Sequence, residues 1–137
     1  MVFSGTLTTD GLKIRPDGAG GLVLEQDGAM EKWVPGVQQL TFNGKYARER
    51  GQQVLFVTDR AVFDLSAEGI LLIEIAPGIS LQDHVLARIG FPVRVSPDLK
   101  LMDARLFRAE PMGLLAEFAA RVPMPRGAHY SSQKRTP

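Results

Sequence analysis

The chain has 137 residues, 45% of them hydrophobic and 23% charged, which is the make-up of one globular domain and excludes disordered or collagen-like polymers. Sixteen Lys and Arg against fifteen Asp and Glu leave a net charge of +1, so no overall field draws nucleic acid or a membrane surface to it. Cysteine is absent, which removes disulfide scaffolds, thiolate metal sites and cysteine nucleophiles.

No apolar run approaches the roughly 18 residues of a membrane span. The longest, Ile70 to Ile73 with Ile75 and Ala76 beyond Glu74, suits a buried strand. Met1 to Thr6 carries neither the basic nor the apolar region of a secretory signal, so the expectation is a soluble, cytoplasmic protein. Charge is uneven. Arg121, Arg126, Lys134 and Arg135 lie among prolines and serines with no acid between Arg121 and Pro137. Such a stretch cannot offset its ordering entropy and reads as a solvated, mobile tail; four charges are few for a nucleic-acid arm.

Three Asp-Gly pairs, Asp10-Gly11, Asp17-Gly18 and Asp27-Gly28, mark hairpin bends, because Asp-Gly readily takes the positive φ angles of type I′ turns. Short alternating runs lie around them: Phe3 to Leu7, Leu12 to Arg15, Leu22 to Leu24 and Lys32 to Val34. This predicts an antiparallel meander of about four strands. The Asp17 to Gly21 loop is not a phosphate cradle, since a strand and not a helix follows it. Val37 to Phe42 predicts another strand ending at Asn43-Gly44, and Lys45 to Arg50 a short helix closed by Gly51. Val54 to Val57, Ala61 to Leu65 and Ile70 to Ile75 predict a second meander, with tight turns at Thr58-Asp59-Arg60 and Glu68-Gly69. A helix is predicted over Leu81–Ile89, with Ser80 and Asp83 as a capping pair and Gly90 as the stop. Leu81, Val85 and Ile89 form its apolar stripe. Val93 to Val95 reads as a strand, and Leu99–Phe107 and Met112–Arg121 as helices.

Residue chemistry alone assembles no site. His84 sits on the capped helix and His129 in the tail, so no metal-ligand pair exists and no metal is expected. The serines lie in turns, caps and the tail, with no nucleophile elbow. Glu74 admits two readings. Its apolar neighbours desolvate it and raise its pKa, or it faces water from a half-exposed strand whose Ile73 and Ile75 point inward. Arg48, Glu49 and Arg50 read as a solvated helix face. Trp33 and the seven phenylalanines fall at strand spacing, which suits a core better than a base-stacking platform.

Five segments, in order and at similar spacing, carry a resemblance. They are Val2-Phe3-Ser4-Gly5-Thr6-Leu7-Thr8, Leu40-Thr41-Phe42-Asn43-Gly44, Val54 to Phe63, Leu72 to Ile79 and Val95 to Phe107. Together they resemble the C-terminal part of the β-type domain of the family I CoA-transferases, the acetate, propionate and 3-oxoacid type, over Val2 to about Leu114. The resemblance implies an α/β NagB/RpiA/CoA-transferase-like fold, α+β in appearance, strand-rich through Ile75 and helical afterwards. Residues 1–114 would be that segment and 115–137 an extension, largely disordered.

The family's chemistry uses a glutamate as nucleophile on an acyl-CoA thioester, giving an acyl-glutamyl anhydride and then a glutamyl-CoA thioester. A carboxylate with an ordinary pKa of about 4.3 is already anionic at neutral pH and needs no adjacent base. That glutamate lies in a Ser-Glu-Asn-Gly-like turn, and none of Glu25, Glu31, Glu49, Glu68, Glu74, Glu110 or Glu117 occupies one. The family's glycine-rich loop likewise precedes the strand that Val2 to Thr8 resembles. No catalytic residue is therefore assigned, cofactor-binding residues are left unknown, and coenzyme A thioester is the family's substrate and not a group this chain is expected to hold alone. The resemblance implies a fragment or split subunit of short-chain acyl-CoA or ketone-body metabolism, inactive alone, partnered by the N-terminal CoA-transferase portion or by itself. The alternative is a non-catalytic interaction module using the basic tail with Leu114, Leu115 and Phe118.

Overall fold

The computed structural model describes residues 1–121. Its main sheet has five strands in the order β1-β6-β7-β8-β9. The expected second meander forms its centre: β6 (Leu55–Val57), β7 (Ala61–Ser66) and β8 (Gly69–Ile75) are successive antiparallel neighbours. β1 (Val2–Ser4) joins β6 in parallel, pairing Val2, Phe3 and Ser4 with Leu55, Phe56 and Val57. β9 (Arg94–Leu101) joins β8 in parallel at the opposite edge.

The first meander is not continuous. β3 (Lys13–Pro16) and β4 (Leu22–Gln26) form the hairpin that Asp17-Gly18 announces, while β2 (Thr8–Thr9) and β5 (Met30–Glu31) close a two-residue ribbon around it. β1 leaves this group because its partner lies fifty residues on. Asp10 (φ 66°) and Gly11 (φ 82°) are both left-handed, as the pair predicts, but the strands beside this bend and beside Asp27-Gly28 do not pair with each other, so neither closes a hairpin. Lys32 to Val34 contributes only a single bridge, Trp33 to Ile89.

Both sheet faces are covered. On one, Leu7, Ala61, Phe63, Leu72, Ile75 and Val85 form a buried cluster, with Trp33, Phe56 and Leu81 against it. On the other, Leu22, Val62, Ala76, Met102 and Phe107 pack with Leu55, Val57 and Ile73. Each fully buried Leu or Phe contributes roughly 1.5–3 kcal/mol. A register shift between Val62 and Phe63 puts Ile73 and Ile75 in different clusters, so these two do not share an inward face around Glu74.

Three further expectations are corrected. Val37 to Phe42 is no strand: Val37 and Leu40 are exposed, and Asn43 caps α1 (Gly44–Glu49) by accepting the Tyr46 N–H at 3.0 Å. The helix over Leu81–Ile89 is a π-turn at Leu81–Val85 followed by a 3₁₀ turn at Leu86–Arg88. Its Ser80 cap holds, with Ser80 Oγ accepting the Asp83 N–H and donating to the Asp83 carboxylate at 2.7 Å. Leu99 to Leu101 belong to β9, because Lys100 and Leu101 pair with Glu74 and Ile75; only Ala104–Phe107 coils, as a 3₁₀ turn capped by Asp103. The last helix, α2, spans Leu114–Ala120 and crosses the expected boundary at 114/115. The tail beyond Arg121, including His129, lies outside the described residues.

Candidate functional site

Where β1 ends, Ser4, Gly5 and Thr6 form one wall of an apolar cleft of about 360 Å³. Its floor is Phe56 and Ile70 from the sheet, and Trp33, Val34 and Phe91 close the far side, with Lys32 at the rim. Aromatic packing sets this shape. Trp33 lies 4.4 Å from Phe63 and 5.7 Å from Phe56 between ring centroids, and Phe3 stacks on Phe56 at 5.2 Å. The cleft is open to solvent and can receive apolar groups. No carboxylate lines it.

Behind this wall is a buried ionic cluster. The Arg60 side chain is fully buried, in the tight turn between β6 and β7 where Thr58 Oγ1 accepts the Ala61 N–H at 2.9 Å. Its Nη2 donates to Asp27 Oδ1 at 2.8 Å and to Thr8 Oγ1 at 3.1 Å. Thr8 Oγ1 donates to the same carboxylate at 2.5 Å, and the Gly28 N–H reaches it at 3.0 Å. Asp59 Oδ1 accepts the Leu7 N–H at 2.7 Å, while its Oδ2 stands 3.7 Å from Arg60 Nε. Arg88 Nε lies 2.8 Å from Asp27 Oδ2 but out of line for a hydrogen bond.

Burial pushes Asp27 up, yet the hydrogen bonds from Thr8 and Arg60 and the Arg60 charge hold it below the usual carboxylate range. A buried guanidinium is tolerated only because these acids face it. The cluster ties the β2 strand, the β4–β5 loop and the β6–β7 turn into one unit, and so fixes the Gly5–Leu7 segment beside the cleft. Arg60 Nε and Nη1 make no hydrogen bond.

Known proteins share this chain's sequence and fold. Acetate CoA-transferase YdiF of Escherichia coli K12 is 44% identical over 120 residues, which are 88% of this chain and 22% of that protein. Caffeate CoA-transferase of Acetobacterium woodii is 45% identical over 95 residues, 69% of this chain and 18% of that one. The crystal structure of the acyl-CoA transferase YdiF of E. coli O157:H7, a thioester complex with CoA, superposes with a TM-score of 0.78 at 46% identity, covering 82% of this chain and 22% of that one. Over most of its length the chain matches one segment of these CoA-transferases in sequence and fold. It spans about a fifth of the length of the relatives it matches. No family model matches it.

The glutamates named from the sequence lie apart from the cleft lining. Glu25 pairs with Arg15 at 2.7 Å across the β3–β4 hairpin, Glu49 lies 4.0 Å from Lys45, Glu68 pairs with Arg94, and Glu117 with Arg105. Glu31 and Glu110 are exposed, and Glu74 is half-buried opposite Val62 and Lys100. His84 is half-buried, its Nδ1 accepting the Ser80 N–H at 3.1 Å. Among the described residues no group of three or more His, Asp or Glu side chains is placed to hold a metal ion, and no helix is long and apolar enough to cross a membrane. The Asp17 loop uses its amide groups internally: Ala19 and Gly21 donate to the Asp17 carboxylate at 2.7 and 2.8 Å, which lowers its pKa. Sequence reasoning read Asp59-Arg60 only as a turn. The signal it passed over was two charged residues set between two apolar strands, β6 and β7.

Proposed function

We propose that this chain is the C-terminal segment of the β-type domain of an acyl-CoA:carboxylate CoA-transferase, supplied as a fragment or split subunit. Its part is to complete the sheet and core behind an active site whose nucleophilic glutamate and CoA-recognition surfaces reside on the remainder. The observation that carries this is the 44% identity to an acetate CoA-transferase, spread over 88% of this chain and 22% of the relative. In the proposed chemistry the glutamate carboxylate attacks the thioester carbonyl, CoA leaves as thiolate, and the thiolate returns to the anhydride to give the glutamyl-CoA thioester and a free carboxylate. An incoming carboxylate reverses the sequence. A cytoplasmic setting and short-chain acyl-CoA metabolism belong to the same reading.

The test is acetyl-CoA/propionate exchange. The chain alone gives no transfer and no hydroxylamine-sensitive acyl-enzyme. Co-expressed with the E. coli acetate CoA-transferase polypeptide lacking the matched stretch, it restores exchange. Turnover by the isolated chain overturns the proposal, as does silence of a stably formed complex. A second reading, an interaction module without chemistry, is favoured by one observation: Leu115 and Phe118 of α2 are 85% and 58% exposed.

A further inference from the structure

The main sheet has two outer edges, and they differ in a way that identifies which one is meant to be covered. At β9 the edge is defended. Its sequence holds Arg94, Pro97, Asp98 and Lys100, and its pairing breaks: Val95 opposes Leu72 and Lys100 opposes Glu74, so four residues of β9 stand against Ile73 alone. Charge, a missing N–H and a bulge are three devices that stop a further strand from adding. At β1 none of these is present. Val2, Phe3 and Ser4 carry no charge and no proline, and all three pair with β6 in unbroken register.

The ladder to β6 uses the Met1 carbonyl, which accepts the Leu55 N–H at 3.0 Å, and the Gly5 N–H, which donates to Val57 at 3.1 Å. Along a strand the alternate residues face the other way, so Val2 and Ser4 turn their backbone N–H and C=O groups outward. A strand laid along that edge sets every second side chain over the Phe3 face, above the cleft of Phe3, Trp33, Val34, Phe56 and Phe91. The cleft lining holds no acid and one base, Lys32, at its rim, so the fitting occupant is uncharged and apolar at alternate positions.

Resting on the reading above, we propose that the β1 edge is the docking surface for an extended apolar segment of the CoA-transferase portion this chain lacks, added by backbone pairing to Val2 and Ser4 with its side chains in the Trp33–Phe91 cleft. The occupant follows from the relative, which holds the same folded segment at TM-score 0.78 as 22% of its own chain.

The full chain co-expressed with the E. coli acetate CoA-transferase polypeptide lacking the matched stretch is purified and followed by sedimentation velocity through a dilution series, with exchange activity assayed in parallel. Val2→Pro deletes one outward N–H, and Val2→Lys puts a charge on the edge; each weakens the complex at least tenfold, while Lys100→Glu on β9 leaves it unchanged. Thermal melts of the isolated variants establish that they fold, and Val2→Lys serves if Val2→Pro does not. A complex that restores exchange but tolerates both Val2 variants overturns the β1 assignment and leaves the fragment reading standing. Absence of any complex with the unaltered chain overturns both. A dimer of the chain alone that Val2→Lys abolishes assigns the edge to a second copy and overturns the proposal.

Discussion

The Asp59 carboxylate accepts the backbone N–H of Leu7 at 2.7 Å, joining residues 52 positions apart. That bond fastens the chain leaving β1 to the turn between β6 and β7, and the neighbouring Arg60 fastens Thr8 in the same place. The cleft wall is thus held by a polar knot that contributes nothing apolar itself.

Removing the knot's cation is costly. Arg60→Met leaves the buried Asp59 carboxylate without a counter-charge and Asp27 with Arg88 alone, and breaking a buried pair from one side costs about 3–5 kcal/mol. The expected result is a fall of that size in urea-unfolding stability. A change under 1 kcal/mol argues that water already reaches the cluster.

Acid acts on the same place. Asp27 is held below the ordinary carboxylate range despite its burial. Its contribution to stability is therefore full above the unfolded value of about 3.9 and is lost as pH falls through the lower folded value. The stability difference between the parent and Asp27→Asn is widest near neutrality and narrows below about pH 4. Urea midpoints collected from pH 7 down to the acid limit of folding check this; a difference that grows on acidification contradicts it.

Gly28 sits against the ribbon strand β2. A Cβ there meets the Thr9 carbonyl oxygen at 2.3 Å and its nitrogen at 2.7 Å, and backbone cannot yield as a side chain does. Gly28→Ala destabilises by about 1–3 kcal/mol. Gly36, with open space around it and no positive φ, is the control: Gly36→Ala is neutral or stabilising by a few tenths, to about 1 kcal/mol. Thermal unfolding of the pair decides.

Asp103 reports on the turn after β9. Hydrogen bonds from the Arg105 side chain and then its backbone N–H lower the carboxyl to about 2. In Arg105→Gln the backbone donor remains, so the carboxyl rises toward the ordinary range and stops short of it. A carboxyl carbon titration by NMR reads the shift directly. A value that does not move places the cause in the backbone alone.

The sequence was legible where local chemistry and tertiary pairing agree. The β6–β7–β8 meander, the Asp17-Gly18 hairpin and the Ser80 cap each follow from neighbours within a few residues. It was illegible where a distant partner decides. Lys100 and Leu101 have helical company on their C-terminal side, yet β8 claims them. Val85 buries and Leu81 and Ile89 pack half-buried against the same cluster, as the stripe requires, although the backbone beneath them winds as a π-turn and then a 3₁₀ turn, because a four-residue spacing of apolar groups does not fix the winding. Arg60 escaped notice for a related reason: its meaning depends on Asp27 and Thr8, which only the fold brings within reach. The family resemblance, by contrast, was legible, since it rests on ordered segments such as Val54 to Phe63 and not on any assembled site.

The parallel pairing of β1 with β6 also governs the order of assembly. The hairpins from Leu55 to Ile75 close over short loops and can form at once, whereas Val2 to Ser4 must wait for a partner about fifty residues downstream and close a far larger loop. During synthesis β1 leaves the ribosome well before β6 exists to receive it, so an uncharged, unpaired stretch is presented to other chains for the whole of that interval.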